Sequence, residues 1–154
     1  MVIHYLTSSI LIHMHNIYHD VFIKSEPSVV YDAVSTSRGL NNWWTLKSSG
    51  LPSVGEVYNF YFTPEYDWYG EVINADKGVS FYIKMTQADE DWTPTAFGFD
   101  LIKVDFGTRV QFWHKGWPQC NHHFRRSSWC WAMLLNGLKN YVEKGIVIPF
   151  EKRE

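Results

Sequence analysis

Three groups of residues in this 154-residue chain have the types and spacing to do chemistry: one histidine in an apolar row, a basic cluster just after it, and a short acidic run. His114 alternates with Val110 and Phe112, so at a strand's period of two it shares their face. There a neutral imidazole can hydrogen-bond a ligand carbonyl or hydroxyl, or be satisfied by backbone or water. Lys115, His122, His123, Arg125 and Arg126 gather where a long helix is expected to start, a position that suits solvent and, through the helix N-terminus, an acidic ligand. Asp89, Glu90 and Asp91 read as one solvated acidic loop. His4, His13, His15 and His19 raise the question of a metal, but no nearby carboxylate or thiolate completes a ligand set. Gly-x-Ser-x-Gly, His-Glu-x-x-His and glycine-rich phosphate motifs are absent. The expectation is a protein with no metal, no cofactor and no catalytic residue; were it an enzyme, His114 is the acid–base candidate to test.

Composition narrows the partners. Fourteen Lys and Arg against 16 Asp and Glu give a net charge of -2, too little positive field to neutralise phosphates, so nucleic acid is not an expected partner. No run of about 18 apolar residues is present to span a membrane. Cys120 and Cys130 match neither a C-x-x-C pair nor a metal spacing, which points to thiols in a reducing cytoplasm. Residues 1–15 read as an N-terminal extension, either disordered or adding an edge strand or a contact with a second chain. Their lack of an early Lys or Arg argues against a signal peptide and makes Met14 a candidate functional start.

Eight Trp, nine Tyr and ten Phe supply far more ring surface than a chain of this length ordinarily carries. Such rings fill a core or wall a pocket. The elements that would position them follow from periodicity. Residues 17–24 alternate as a strand, and residues 27–35 form a short helix opened by Pro27. Thr36 and Ser37 can cap a second short helix that carries Leu40 and ends at Trp43 and Trp44. From Gly55 the period becomes two. Tyr58, Phe60 and Phe62 share one face, Trp68, Gly70 and Val72 another, and Val79, Phe81 and Ile83 a third. Thr95, Phe97, Phe99 and Leu101 follow, then Val110, Phe112 and His114. Parity sends Trp113 and Asp100 to the opposite face. Short turns, including Asp76-Lys77-Gly78 and Asp105-Phe106-Gly107, favour an antiparallel meander of about five strands. Residues 122–144 return to helical period with a stripe of Trp131, Leu134, Leu135 and Leu138, and Gly145 ends the helix.

One ordered set of segments resembles the heat-shock-protein-90 ATPase activator homologue-like (AHSA-like) branch of the START/SRPBCC helix-grip superfamily. It comprises Ile23-Lys24-Ser25-Glu26-Pro27-Ser28-Val29-Val30-Tyr31-Asp32-Ala33-Val34, Gly39-Leu40-Asn41-Asn42-Trp43-Trp44, Gly70-Glu71-Val72-Ile73, Phe112-Trp113-His114-Lys115-Gly116-Trp117, and Trp131 with Leu134 to Gly145. The resemblance implies an α+β helix-grip fold over residues 16–150: a curved antiparallel sheet wrapped around a long C-terminal helix, with two short helices after the first strand. It also implies a cavity between sheet and helix, which in many relatives holds a lipid, polyketide or aromatic molecule. The residues expected to line it are Tyr58, Phe60, Phe62, Val72, Phe81 and Phe97, with Phe99, Phe112, His114, Trp131 and Leu135. The functional expectation is binding or carriage of a hydrophobic small molecule. The alternative is a protein-interaction module, co-chaperone-like and tied to stress response, that uses its outer surface toward a chaperone or a second copy of itself. A monomer and a homodimer are both open.

Overall fold

The computed structural model describes residues 14–153; the expectation for residues 1–13, with His4 and His13, lies outside the described residues. Strand β1 (His15–Ile23) leads into helices α1 (Pro27–Ser35) and α2 (Ser37–Asn41). Six more strands follow: β2 (Lys47–Ser49), β3 (Val57–Thr63), β4 (Tyr66–Asp76), β5 (Ser80–Gln87), β6 (Ala96–Val104) and β7 (Gly107–Trp117). Helix α3 (His122–Lys144) and a short 3-10 turn (Phe150–Lys152) close the chain. The strands make one antiparallel sheet in the order β1-β7-β6-β5-β4-β3-β2. Its concave face is covered by α3 and the two short helices, as the helix-grip expectation requires.

Local chemistry explains the element ends. Pro27 occupies the first turn of α1, where the missing N–H costs nothing. Thr36 Oγ1 accepts from Gly39 N–H at 3.0 Å and so caps α2. Asn121 caps α3 by accepting from Phe124 N–H at 2.9 Å, and Gly145 ends it in the left-handed conformation, φ 67°.

Gly39 fixes the approach of α2 to α1. A Cβ there would lie 2.5 Å from the carbonyl oxygen of Asp32 and 2.6 Å from Cα of Ala33, backbone that cannot swing aside. Gly39→Ala is therefore expected to cost about 1–3 kcal/mol, read as a lower denaturation midpoint at unchanged m-value.

Four details differ from the sequence reading. Helix α2 stops at Asn41, and Trp43 and Trp44 occupy the following turn, folded back by the bond from Trp44 N–H to the Leu40 carbonyl. Strand β2 is an additional three-residue strand, so six strands rather than five follow the short helices. Val79 precedes β5 in the turn and is exposed, so the inward row of that strand begins at Phe81; Ser80, in register with Asp100, lies on the outer face and bonds Asn74 Oδ1. The acidic run is structural: Asp89 Oδ1 accepts from Trp92 N–H at 2.8 Å, and Asp91 Oδ2 pairs with His123 Nδ1 at 2.9 Å.

Candidate functional site: the gap between sheet and C-terminal helix

Alternation along β3, β5, β6 and β7 points Tyr58, Phe60, Phe81, Phe97, Phe99, Phe112 and His114 toward α3, and all are buried. Val72 joins them from β4, and Trp131 and Leu135 from the facing stripe of α3. Phe62 alone of the expected lining is only half-buried, because β3 bends at the irregularity between Tyr61 and Thr63. The structure thus brings the expected residues to one place, and there they touch one another. Trp131 lies 4.4 Å from Phe112, 5.0 Å from Trp44 and 5.9 Å from Phe97, ring centre to ring centre. Trp44 closes on Phe60 and Phe97 at 5.2 and 5.3 Å. These are the separations of packed rings.

Two clefts lie outside this set. A shallow one of about 10 Å³, room for no more than a water, lies between α3 and the C-terminal tail, beside Trp43, Leu134 and Ile148. A wider open one of about 380 Å³ lies at the β3–β4 turn, beside Tyr66, Trp68 and Asp89.

His114 is the polar centre of the packed interior. Trp131 Nε1–H donates to His114 Nδ1 at 3.0 Å. An indole can only donate, so Nδ1 is the unprotonated nitrogen and Nε2–H donates to Thr95 Oγ1 at 2.8 Å. The Thr95 hydroxyl in turn donates to the Trp92 carbonyl at 2.6 Å. Each donor has one acceptor, and the chain ties α3 to β7 and to the β5–β6 loop. Burial, aided by the nearby His123, pushes the His114 pKa down to about 3, so the ring is neutral at ordinary pH. An imidazole with both nitrogens engaged has no free position for proton transfer.

Trp92 is the residue that the sequence reading missed. It arrives from the β5–β6 loop, is buried, and packs on His114 at 4.4 Å, Trp68 at 4.7 Å and Trp131 at 5.9 Å. The available signal was the acidic run itself, since Asp89 three residues before a Trp can cap a turn that folds the ring inward. Trp92 Nε1 and Trp117 Nε1 are buried donors with no acceptor among the described residues. Both rings flank His114, Trp117 at 4.8 Å.

The opposite, convex face carries a second arrangement. Tyr18, Trp113 and Tyr82 lie in register across β1, β7, β6 and β5, with Gly98 between them. Trp113 and Tyr82 meet over that glycine at 4.9 Å. Asp100 accepts from both the Tyr82 hydroxyl and Trp113 Nε1. Lys115 Nζ stands over the rings of Trp113 and Tyr18 at 4.7 and 5.7 Å, a cation–π arrangement. Asp100 and Trp113 are thus on the outer face, as parity predicts. Among the described residues no group of three His, Cys, Asp or Glu side chains is placed to hold a metal, and no helix is long and apolar enough to cross a membrane.

A curved seven-stranded antiparallel sheet closed by one long C-terminal helix, with two short helices after the first strand, defines a helix-grip protein. The chain belongs to the family described as activator of Hsp90 ATPase homolog 1-like protein, which matches residues 24–143. Among solved structures it is similar to the Aha1 dimer of Colwellia psychrerythraea, at 30% identity over 85% of this chain and 98% of that one, with a TM-score of 0.78. A Staphylococcus saprophyticus protein, at 15% identity over 88% of this chain and 96% of that one, gives a TM-score of 0.74. A Bacillus halodurans protein, at 21% identity over 84% and 97%, gives 0.71. No curated protein matches the chain.

Proposed function

We propose that this protein works through its outer surface, as a self-associating protein-interaction module of the Aha1-like kind. The observation that carries this reading is the filled interior. Trp131, Trp44, Phe97 and Phe112 occupy the gap between sheet and helix with their own rings, so a bound molecule of lipid or polyketide size would have to displace them. Support for self-association comes from the Colwellia psychrerythraea relative, which is a dimer, and from the exposed rings of Tyr18 and Trp129, each 62% accessible, the kind of side chain that anchors protein contacts. Light scattering coupled to size exclusion, over a hundredfold range of concentration, is expected to give a mass moving from 18.1 kDa toward twice that value. A fixed monomer mass at high concentration would remove the reading.

A second reading, capture of a hydrophobic small molecule, is favoured by one specific feature. The unpaired indole donors of Trp92 and Trp117 would be satisfied by a carbonyl or carboxylate oxygen arriving beside His114, and buried donors gain most from such a partner. A fatty acid or aromatic acid should then raise the thermal midpoint of the wild type, and Trp92→Phe should reduce that rise. No shift with either acid leaves the interaction module as the function.

A further inference from the structure

Strand β1 is the end strand of the sheet, with β7 on one side and no strand on the other among the described residues. In an antiparallel pair, residues alternately turn both backbone polar groups toward the partner strand and away from it. Two bonds fix which residues of β1 turn away. Lys139 Nζ donates to the carbonyl of Phe22 at 2.5 Å, and Glu143 accepts from Lys24 N–H at 2.9 Å. The even-numbered residues therefore carry the outward groups. The Lys139–Glu143 ion pair, 2.9 Å long, covers the C-terminal end of this edge, a usual way to blunt an exposed strand. Farther along, no described residue bonds the outward N–H and C=O of Tyr18 and Asp20.

We infer that the open half of this edge, residues 16–20, is where two copies of the chain join, β1 running antiparallel to β1 of the second copy about a two-fold axis at Tyr18. This rests on the self-association reading above and names its surface. A second copy is the occupant because the register is complementary to itself. Centred on Tyr18, it sets Asp20 of one copy opposite Asn16 of the other, and Lys115, already standing over the Tyr18 ring at 5.7 Å, then lies beside that carboxylate. Symmetry repeats the contact on the other side of the axis, and no like charges face each other across the pair. The pairing stops where Lys139 takes the Phe22 carbonyl, so the joint is short and the dimer exchanges with monomer.

The test is sedimentation velocity on the full 154-residue chain and three variants. Tyr18→Pro deletes an outward N–H while leaving the bonds to β7, since proline is tolerated where an edge strand's N–H faces outward. It is expected to weaken dimerisation about tenfold or more, as the loss counts twice in a symmetric joint. Asp20→Lys is expected to weaken it as well, and Asp20→Lys combined with Lys115→Asp to restore it; circular dichroism checks that each variant is folded. If Tyr18→Pro does not fold, the charge exchange decides alone. A wild-type dimer untouched by Asp20→Lys and by the proline variant overturns the edge assignment and leaves self-association standing on another face. A wild type that stays monomeric overturns the underlying reading. A chain lacking residues 1–13 that dimerises where the full chain does not would assign the edge to the chain's own N-terminal segment and overturn the inference.

Discussion

Replacing Trp131 by alanine is expected to destabilise the protein by about 3–5 kcal/mol, the range for removing a large buried aromatic. Trp131 is 1% exposed and touches rings from three directions: Phe112 and Phe97 on the sheet, Trp44 after α2, and Trp92 from the β5–β6 loop. Its loss opens a cavity that these rings cannot close without moving strands, and it leaves His114 Nδ1 without its donor. Trp131→Phe keeps most of the apolar volume but not the N–H, so it separates the two effects. It should cost about 1–3 kcal/mol, the penalty of one buried polar group left unpaired. Urea denaturation followed by far-ultraviolet circular dichroism measures both variants. A cost for Trp131→Ala below about 1 kcal/mol would mean that the gap between helix and sheet collapses freely, and would favour an interior able to admit a ligand.

The second large effect is on pH. The His114 pKa is about 3 in the folded protein and about 6.5 when exposed in the unfolded chain. Because the folded value is the lower one, the unfolded state binds more protons across the window from about 6.5 to 3. Stability is therefore fully present above pH 6.5 and falls as the solution is acidified through that window, by up to roughly 5 kcal/mol if the full difference operates. A loss of this size is comparable to the whole stability of a domain at the low end of the usual range, so a marginally stable fold would begin to unfold before the window ends. His114→Phe is expected to lower stability at pH 7, because the Trp131 N–H and Thr95 hydroxyl lose a partner, and to flatten the slope between pH 6.5 and 4. An unchanged slope in that variant would assign the acid sensitivity of this window to other groups; Glu143, held below its ordinary pKa by Lys139 despite burial, adds its own loss only at lower pH, below its unfolded value.

Much of this architecture was legible in the residues because period and punctuation agreed. The start of α1 at Pro27 and the end of α3 at Gly145 follow directly from a proline and a glycine, whereas the Asn121 cap of α3 is seen only in the structure. The inward row of β6 and β7 follows from parity, which placed His114 beside Phe112 and sent Trp113 outward. What parity could not reveal was the state of the space those residues face. Alternation orients a ring but does not say whether the opposite wall reaches it, and here Trp44 and Trp92 fill the distance from turn positions that have no period. Strand β2 was illegible for a similar reason: three residues, Lys47, Ser48 and Ser49, are too few to display alternation, and tertiary pairing with β3 creates the strand. Trp43 and Trp44 were assigned to the end of a helix because their spacing allows it, whereas the turn after Asn41 sets Trp43 Nε1 to donate to the Ala33 carbonyl at 2.9 Å.

The pairing of the first strand with the last has a consequence for how the molecule is made. Ile17 takes its place opposite His114, and Ile23 opposite Thr108, so β1 emerges from the ribosome long before β7 exists. At about 5–20 residues per second, several seconds pass during which a nascent strand displaying Tyr18 and Phe22 has nothing to pair with. The β3–β4, β4–β5 and β5–β6 pairs can form in that interval from neighbouring segments, whereas β1 has to be captured at the end. Completion of the sheet is thus a late, chain-length-dependent event, and the sheet stays open at the β7 position of its growing edge until Gly107–Trp117 has been made.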